Sequence, residues 1–457
     1  MPLQPGFIPA SDLLATGRRD DLAVCADGAR RVQWSEFARH AGGIARAVLL
    51  QGGKRWLIHC EHPLHFAAGL LAVLGVGRTA VLPPGLQSGT AQRLSGAYDA
   101  ILADSGAPAL DVRSVAPAPF GFGTIDPRAA RVDLYTSGSS GEPKRVDKTL
   151  HQLQTEARAL EDFWGERLDT AVVVATVPHY HIYGLLFRLL WPLGAGRCFD
   201  AALCTEPDLL MQTLKHHGDA VLVSSPAHLA RLPELVPLEA LRGWTRRIFS
   251  SGGPLAAAVG AEYQRRLGAP PTEIYGSTES GGIAWREQDG SEDAAAWRAF
   301  PGMQLRTDPE GALCLRSAYL GDDAWLTMGD AAELLPDGRF RLKGRLDRVV
   351  KVEGKRISLP ELEHALRQHP WVRDASLVPL DGSRDLLGAV VILRDAAPGV
   401  RERCVAGLRA FLLERFERVL VPRQWRFVSS LPTDERGKLT AAALRTLFRK
   451  PHDAPAS

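Results

Sequence analysis

The chain has 457 residues, 45% of them hydrophobic and 23% charged, with a formal net charge of +3. That length exceeds one ordinary domain, so two or more cores are expected, and the composition is that of a soluble globular protein without biased tracts. No lysine run or aromatic–basic stripe is present, so nucleic acid is not an expected partner.

The opening MPLQPGFIPASDLLATGRRDD has no basic flank followed by an apolar run, so no signal peptide is expected and the predicted location is the cytoplasm. Cys25, Cys60, Cys198, Cys204, Cys314 and Cys404 are scattered with no C-x-x-C pair, a pattern of free thiols in a reducing compartment. His59 and Cys60 are adjacent in WLIHC, which reads as a buried strand and not as a nucleophile with its base. The longest apolar stretch, FAAGLLAVLGVG (66–77), is too short and glycine-rich to span a bilayer and reads as a buried helix.

From Arg55 to about Ser280, the apolar runs RWLIHC, RTAVLP, YDAILAD, AVVVATVP, AVLVSSP and RRIFSSGG read as strands. Amphipathic segments such as LLMQTLKHH and PLAAAVGAEYQRRL lie between several of them, a rhythm that predicts α/β layers with largely parallel sheets. Shorter strands and turns follow from about 300 to 342, with PDG (336–338) marking a reversal. After GRLDR come a helix at LPELEHALRQ, strands at DASLVPL and LGAVVIL, a helix at AGLRAFLLERF, a strand at PRQWRFVSSLP and a helix at TAAALRTLFRK. The expected fold is therefore α/β, a large N-terminal domain of layered sheets with helices (1–346) plus a small α+β C-terminal domain (347–457). From Arg348 to the end, 20 Lys and Arg stand against 13 Asp and Glu, a net +7 that suits either a solvated arginine-rich surface or a docking face for an anionic partner.

The stretch TSGSSGEPK (136–144) has the chemistry of a phosphate site. Gly138 and Gly141 permit unusual backbone angles and close approach, Thr136, Ser137, Ser139 and Ser140 supply donors, and Lys144 a positive charge. The Walker pattern of Gly-Lys-Ser/Thr is absent, so a simple P-loop nucleotide hydrolase is disfavoured.

Four further segments follow in order: EIYGSTESG (273–281), MGD (328–330), GRLDRVVKVEGKRISLPELE (344–363) and LPTDERGKLT (431–440). Together with TSGSSGEPK they resemble the acyl-adenylate-forming superfamily of acyl- and aryl-CoA ligases, peptide-synthetase adenylation domains and luciferases. The resemblance runs from about Val32 to Arg445. It implies ATP and Mg²⁺ as cofactors. Residues from Thr136 to Lys144 would hold the β- and γ-phosphates, Thr278 the α-phosphate and Glu279 the metal. Tyr275, Gly252 and Gly253 would lie against the adenine, Asp330 on the ribose hydroxyls, and Arg345 on ribose and phosphates. Lys438 would be the adenylation lysine, bridging carboxylate and α-phosphate as charge builds. Asp347 falls at the family's hinge, about which a mobile C-terminal domain turns between half-reactions, and Gly354 would line the pantetheine tunnel.

The segment TVPHYHIYGLLF (176–187) resembles the family's acyl-pocket wall. It places His181 beside the carboxylate and the tunnel mouth, with Tyr180, Gly184, Ser251, Gly276, Gly281 and Gly282 around the acyl group. No acidic residue lies between Thr176 and Phe199, whereas members that activate amino acids carry an aspartate there, so a plain carboxylic acid is expected. The short region before Tyr135 resembles compact bacterial ligases of aryl-polyene and xanthomonadin-type pigment pathways. That likeness points to an aryl acid such as hydroxybenzoate, or a short or medium acyl acid, as substrate. The acceptor would be a holo acyl carrier protein docking on the basic C-terminal domain, or free coenzyme A. The other readings are a stand-alone adenylating enzyme or light-emitting oxygenase, and an inactive adenylate-binding homologue; the oligomeric state is not legible. Three positions depart from the family pattern: Ser140 for threonine, Met328 for threonine, and Arg145 for the glycine after the loop lysine.

Overall fold

The computed structural model describes residues 6–86, 88–105, 109–137, 143–321, 323–352, 355–380, 386–394, 401–432, 439 and 441–448. These pack as two compact units, one from 6–137, 143–304 and Arg316–Ala324, the other from Leu305–Leu315 and from Trp325 onward.

In the first unit, β1 (Ala23–Asp27) and β2 (Arg30–Gln33) form an antiparallel hairpin. Next come β3 (Arg55–His59), β4 (Thr79–Leu82), β5 (Ala100–Ala103), β6 (Leu110–Asp111), β7 (Arg131–Ser137) and β8 (Pro143–Thr149). They build a sheet in the order β6-β5-β3-β4-β7-β8, parallel except for the closing β7–β8 hairpin. A second sheet takes β9 (Val172–Ala175), β10 (Phe199–Leu203), β11 (Ala220–Ser224), β12 (Thr245–Ser250), β13 (Thr272–Ser277), β14 (Gly281–Glu287) and β15 (Arg298–Ala299). Its order is β15-β14-β13-β12-β11-β9-β10-β1-β2, parallel from β13 to β1 and antiparallel at both edges.

The parallel strands are apolar on both faces because helices cover both: every residue of β11, AVLVS, is buried. The expected helix at 66–77 forms as Pro63–Gly75, and its apolar side chains are inside all round. All six cysteines are unpaired and buried. Burial pushes the Cys60 thiol well above its ordinary value, which removes it as a nucleophile. No helix among the described residues is long and apolar enough to cross a membrane.

Four motif segments leave the carboxyl ends of parallel strands, where open α/β sheets form their ligand crevices. TSGSSGEPK starts on the last two residues of β7, VPHYHIYG follows β9, SGG follows β12, and GSTES starts on the last two residues of β13. The helix Leu150–Leu168 starts directly after β8 with a capping box between Thr149 and Gln152. Its Trp164 packs edge-on against Phe249 at 5.0 Å and Phe300 at 5.6 Å, which seats the helix on the second sheet.

The second unit holds β16 (Gln304–Thr307, its first residue counted with the first unit), β17 (Ala312–Arg316, its last residue likewise), β18 (Leu326–Leu334) and β19 (Phe340–Arg345). The turn at 336–338 joins β18 to β19. After the single turn Leu346–Arg348 come the hairpin β20 (Val349–Val352) and β21 (Lys355–Ser358). The sheet β22 (Val372–Leu380), β23 (Leu386–Leu393) and β24 (Gln424–Phe427) packs with the helices Leu359–Arg367 and Arg401–Leu413. Leu362, Leu366, Leu377, Val391, Leu408 and Trp425 fill that core.

Candidate active site

Two hairpins of the first unit bring phosphate-loop and metal-ligand candidates together. Thr136, near the end of β7, donates its hydroxyl to the Lys144 carbonyl at 3.3 Å, and the two residues are cross-strand partners. Lys144 Nζ lies 2.6 Å from Glu279 Oε1, on the turn between β13 and β14. Partial burial raises the Glu279 carboxyl, but Lys144, a backbone amide and Ser277 together outweigh it and the net shift is below the ordinary glutamate value. Gly138, Ser139, Ser140 and Gly141 lie outside the described residues, as does the side chain of Ser137.

Arg145 has a structural explanation. Its Nη2 lies 3.1 Å from Oδ1 of the buried Asp133, two pairs along the β7–β8 ladder. Burial pushes the Asp133 carboxyl up, and Arg145 counteracts it. The cation where the family has glycine answers an acid on the neighbouring strand.

The YGSTESG turn is locked by its own serines. Ser277 N–H donates to Ser280 Oγ at 2.9 Å, and Ser280 N–H donates to Ser277 Oγ at 3.1 Å. Half-buried Thr278 stands between them. A Cβ on Gly276 would come within 2.1 Å of the Gly281 carbonyl, so glycine there lets the two strands close. At the base of the hairpin, buried Glu273 accepts from Leu255 N at 3.0 Å, Arg286 Nε at 2.9 Å and Gln288 Nε2 at 2.6 Å. Arg286 in turn lies 4.2 Å over the Trp297 ring, which sits 5.4 Å from Tyr275. The adenine candidate is thus oriented through a chain that starts at a buried carboxylate.

Sequence reading missed two charged residues around this turn. Lys148 of β8 donates to the Glu279 carbonyl at 2.5 Å, and Glu156 accepts from the Gly282 amide at 2.7 Å. A Cβ on Gly281, whose φ is +69°, would stand 2.4 Å from Glu156 Oε2, so this glycine leaves room for the carboxyl. Burial pushes the Glu156 carboxyl up to about 7 against the opposing pull of the Gly282 amide and the Lys148 charge. An isolated lysine in PKRVDKT and a glutamate in a helix carry no signal of burial.

The two histidines of PHYHIYG separate cleanly. His179 is buried, sits 3.0 Å from the Cys60 carbonyl through Nε2, and burial lowers its pKa to about 3, so it is a core residue. His181 is half-exposed, precedes the short helix Ile182–Gly184, and lies 4.6 Å from Tyr180 ring to ring. A Cβ on Gly184 would come within 1.9 Å of the Pro178 carbonyl, so glycine lets this wall fold back on itself. Beyond it, residues Leu185–Leu190 form a π-helical turn containing Arg188, which is fully buried. Arg188 donates to the carbonyls of Val177 (3.4 Å), Asp200 (3.3 Å), Ala201 (2.8 Å) and Ala202 (2.9 Å), and burial lowers its pKa to about 10. At the end of β12, Ser251 donates to the Ile274 carbonyl at 2.8 Å, and Gly252 has φ +90° with open space where a side chain would be. Gly253 follows it, with Pro226 3.9 Å from where its Cβ would stand.

In the second unit, Asp330 and Arg345 are direct cross-strand partners on β18 and β19, with Arg345 Nη1 4.0 Å from Asp330 Oδ2. A Cβ on Gly329 would stand 2.9 Å from Arg345 Nη2, so the MGD glycine makes way for the guanidinium. Met328 is buried in this unit. Asp347 lies in the turn Leu346–Arg348. The next residue, Arg348, is anchored to Glu363 at 3.0 and 2.6 Å and to the Leu377 carbonyl at 3.0 Å. Gly354 and Lys438 lie outside the described residues.

Among the described residues no group of three or more His, Cys, Asp or Glu could hold a metal by itself. A single half-buried carboxylate, Glu279, beside Lys144 still fits Mg²⁺, which is usually held by one or two carboxylates together with nucleotide phosphates and water. When bound, the ion would supply charge neutralisation at the phosphates.

Residues 118–316 match the family model described as AMP-binding enzyme. The chain is 30% identical over 314 residues to a 4-coumarate–CoA ligase of Cereibacter sphaeroides, covering 68% of this chain and 70% of that one. The chain belongs to the acyl-adenylate-forming superfamily of AMP-binding enzymes. The fold of this AMP-binding enzyme agrees. ATP-bound MatB from Rhodopseudomonas palustris superposes with a TM-score of 0.79 at 21% identity, over 96% of this chain and 98% of that one. The o-succinylbenzoate-CoA synthetase MenE of Bacillus subtilis, in complex with its acyl-adenylate intermediate, gives 0.78 at 18% identity, over 97% and 98%. The AMP-binding enzyme thus has the α/β architecture expected from the sequence.

Proposed function

We propose that the AMP-binding enzyme uses ATP and Mg²⁺ to convert a plain carboxylic acid to its acyl-adenylate, then transfers the acyl group to a phosphopantetheine thiol. The observation that carries this reading is the meeting of Lys144 and Glu279, 2.6 Å apart, at the tips of two hairpins that each follow a parallel strand. Lys144 with the hydroxyls and amides of its loop would hold the outer phosphates, Thr278 the α-phosphate and Glu279 the metal. The carboxylate oxygen attacks the α-phosphorus and pyrophosphate leaves; Lys438 would balance the charge that gathers on both anions. Asp330 would accept from the ribose hydroxyls, a task suited to a carboxylate, with Arg345 beside it. A thiol then displaces AMP at the acyl carbonyl. Between these steps the C-terminal part would turn at Asp347, because Arg348 is already fixed to Glu363, and Gly354 would come to line the thiol's path.

The substrate class we favour is an aryl acid. The wall segment carries Tyr180, Tyr183 and Phe187 and no acid, and the sequence relative named above is a 4-coumarate–CoA ligase. For the thiol, the net +7 of the C-terminal part favours an acidic holo acyl carrier protein, while the names of the relatives favour free coenzyme A. The deciding experiment is carboxylate-dependent ATP–pyrophosphate exchange over a panel of aryl and aliphatic acids. Mass spectrometry of the product with coenzyme A and with holo carrier protein would follow. Exchange with none of the acids would refute the reading and leave an adenylate-binding homologue without catalysis. AMP release independent of any thiol would refute the second step alone.

A further inference from the structure

The turn that bears Glu279 is held from behind by two charged groups that neither proposed half-reaction uses. Lys148 is only 3% exposed and Glu156 only 5%. Lys148 Nζ donates to the Glu279 carbonyl at 2.5 Å and reaches the Tyr319 carbonyl at 3.4 Å. Glu156 Oε1 takes the Gly282 amide at 2.7 Å, so the turn is gripped at its middle and where it enters β14. Gln152, between them in sequence, completes the frame by donating to the Tyr319 carbonyl at 3.0 Å while capping its own helix.

The placement on β8 is informative. Residues two and four apart on a strand share a face, so Lys144 and Lys148 face the same way. One reaches the carboxylate of Glu279, the other its carbonyl. Burying a lysine and a glutamate costs several kcal/mol for each ion, and apolar residues of similar volume are often at least as stable. Packing alone therefore does not account for them. What they do provide is a fixed position for the backbone carbonyl of a metal ligand and for the amide three residues on, and partners behind a ligand commonly tune its affinity.

Resting on the reading of Glu279 as the Mg²⁺ ligand, we propose that Lys148 and Glu156 are positioning residues for that ligand, Lys148 through the Glu279 carbonyl and Glu156 through the Gly282 amide. Neither touches substrate; both act by holding the Glu279 carboxylate where a metal–nucleotide complex meets it.

The test compares wild type with Lys148→Met, Lys148→Arg and Glu156→Gln. Mn²⁺ binding is measured by electron paramagnetic resonance with a non-hydrolysable ATP analogue, and Mg²⁺ dependence by pyrophosphate exchange. Lys148→Met should weaken Mn²⁺ binding about 10-fold or more, the scale for residues behind a metal ligand, and raise half-saturating Mg²⁺ in parallel. Binding of the metal-free nucleotide should stay unchanged, and Lys148→Arg should recover most of the loss. Glu156→Gln, which keeps an acceptor for the amide, should weaken Mn²⁺ binding only a few-fold. A folded Lys148→Met protein with wild-type Mn²⁺ affinity overturns the proposal. If that variant does not fold, wild-type Mn²⁺ affinity in both Lys148→Arg and Glu156→Gln overturns it. A wild type with neither exchange nor metal–nucleotide binding defeats the reading of Glu279 itself, a result distinct from normal wild-type behaviour with indifferent variants.

Discussion

The two sheets of the first unit end in the same device, an antiparallel hairpin added to a parallel run, with a motif at its tip. The β7–β8 hairpin pairs residue for residue from Arg131 opposite Thr149 to Ser137 opposite Pro143. The β13–β14 hairpin has a register shift between Tyr275 and Gly276 and is braced by Ser277, Ser280, Glu273, Lys148 and Glu156. The connection of the first spans residues 138–142; that of the second spans only 278–280. The difference follows the chemistry proposed for each. A polyphosphate is met by many donors sharing one job, whereas a single carboxylate ligand depends on its own placement, and among the described residues the second hairpin carries that bracing.

A variant outside both hairpins sets the upper end of the scale. Lys438→Ala should reduce carboxylate-dependent pyrophosphate exchange by about 1,000-fold with the fold intact by circular dichroism, as expected for loss of a charge acting on the transition state. Glu279→Gln should cost about 100-fold in the same assay, and excess Mg²⁺ should restore part of it. Lys144→Ala, on the hairpin with shared duties, should cost less, about 10-fold, mainly in KM for ATP. An equal or larger loss for Lys144→Ala would break the contrast between the hairpins.

The remaining expectations concern stability. With its carboxyl pushed up to about 7, Glu156 binds its proton more tightly in the folded chain than in the unfolded one. Its stabilising contribution is complete below the ordinary glutamate pKa and is lost as pH rises towards 7, on the order of 3 kcal/mol in all. Urea melts at pH 5 and pH 8 should show that slope in wild type and a flatter one in Glu156→Gln. The smallest effect is expected from Arg145→Gly. It leaves Asp133 buried without its cation, but Arg145 is half-exposed and screened, so about 1 kcal/mol of stability should go, with exchange unchanged.

Much of this was legible in the sequence. The parallel strands were readable because burial on both faces makes them continuous apolar runs such as VVVA and AVLVS. The motifs were readable because their residue types and order are unusual. β8 was not: PKRVDKT buries Val146 and Lys148, so the alternation of a half-buried strand is hidden by a charged residue on the inner face. The role of Arg145 depended on the register that sets it diagonally opposite Asp133, information that no local pattern holds. His179 and His181 likewise differ in burial, not in chemistry. Asp330 and Arg345 belong to separate motifs, and only the β18–β19 pairing shows them to be neighbours.

Arg188 adds one more consequence. A guanidinium still protonated near neutrality spans from the Val177 carbonyl, at the root of the PHYHIYG wall, to three successive carbonyls that start at Asp200 on β10. Such a rivet stiffens the wall against bowing outward, because any yield would strip several buried carbonyls of their donor at once. Under the proposed reading of this segment as the wall of an aryl-acid pocket, an acid too broad for it would meet a rigid template, and selection would come from rejection, not from accommodation.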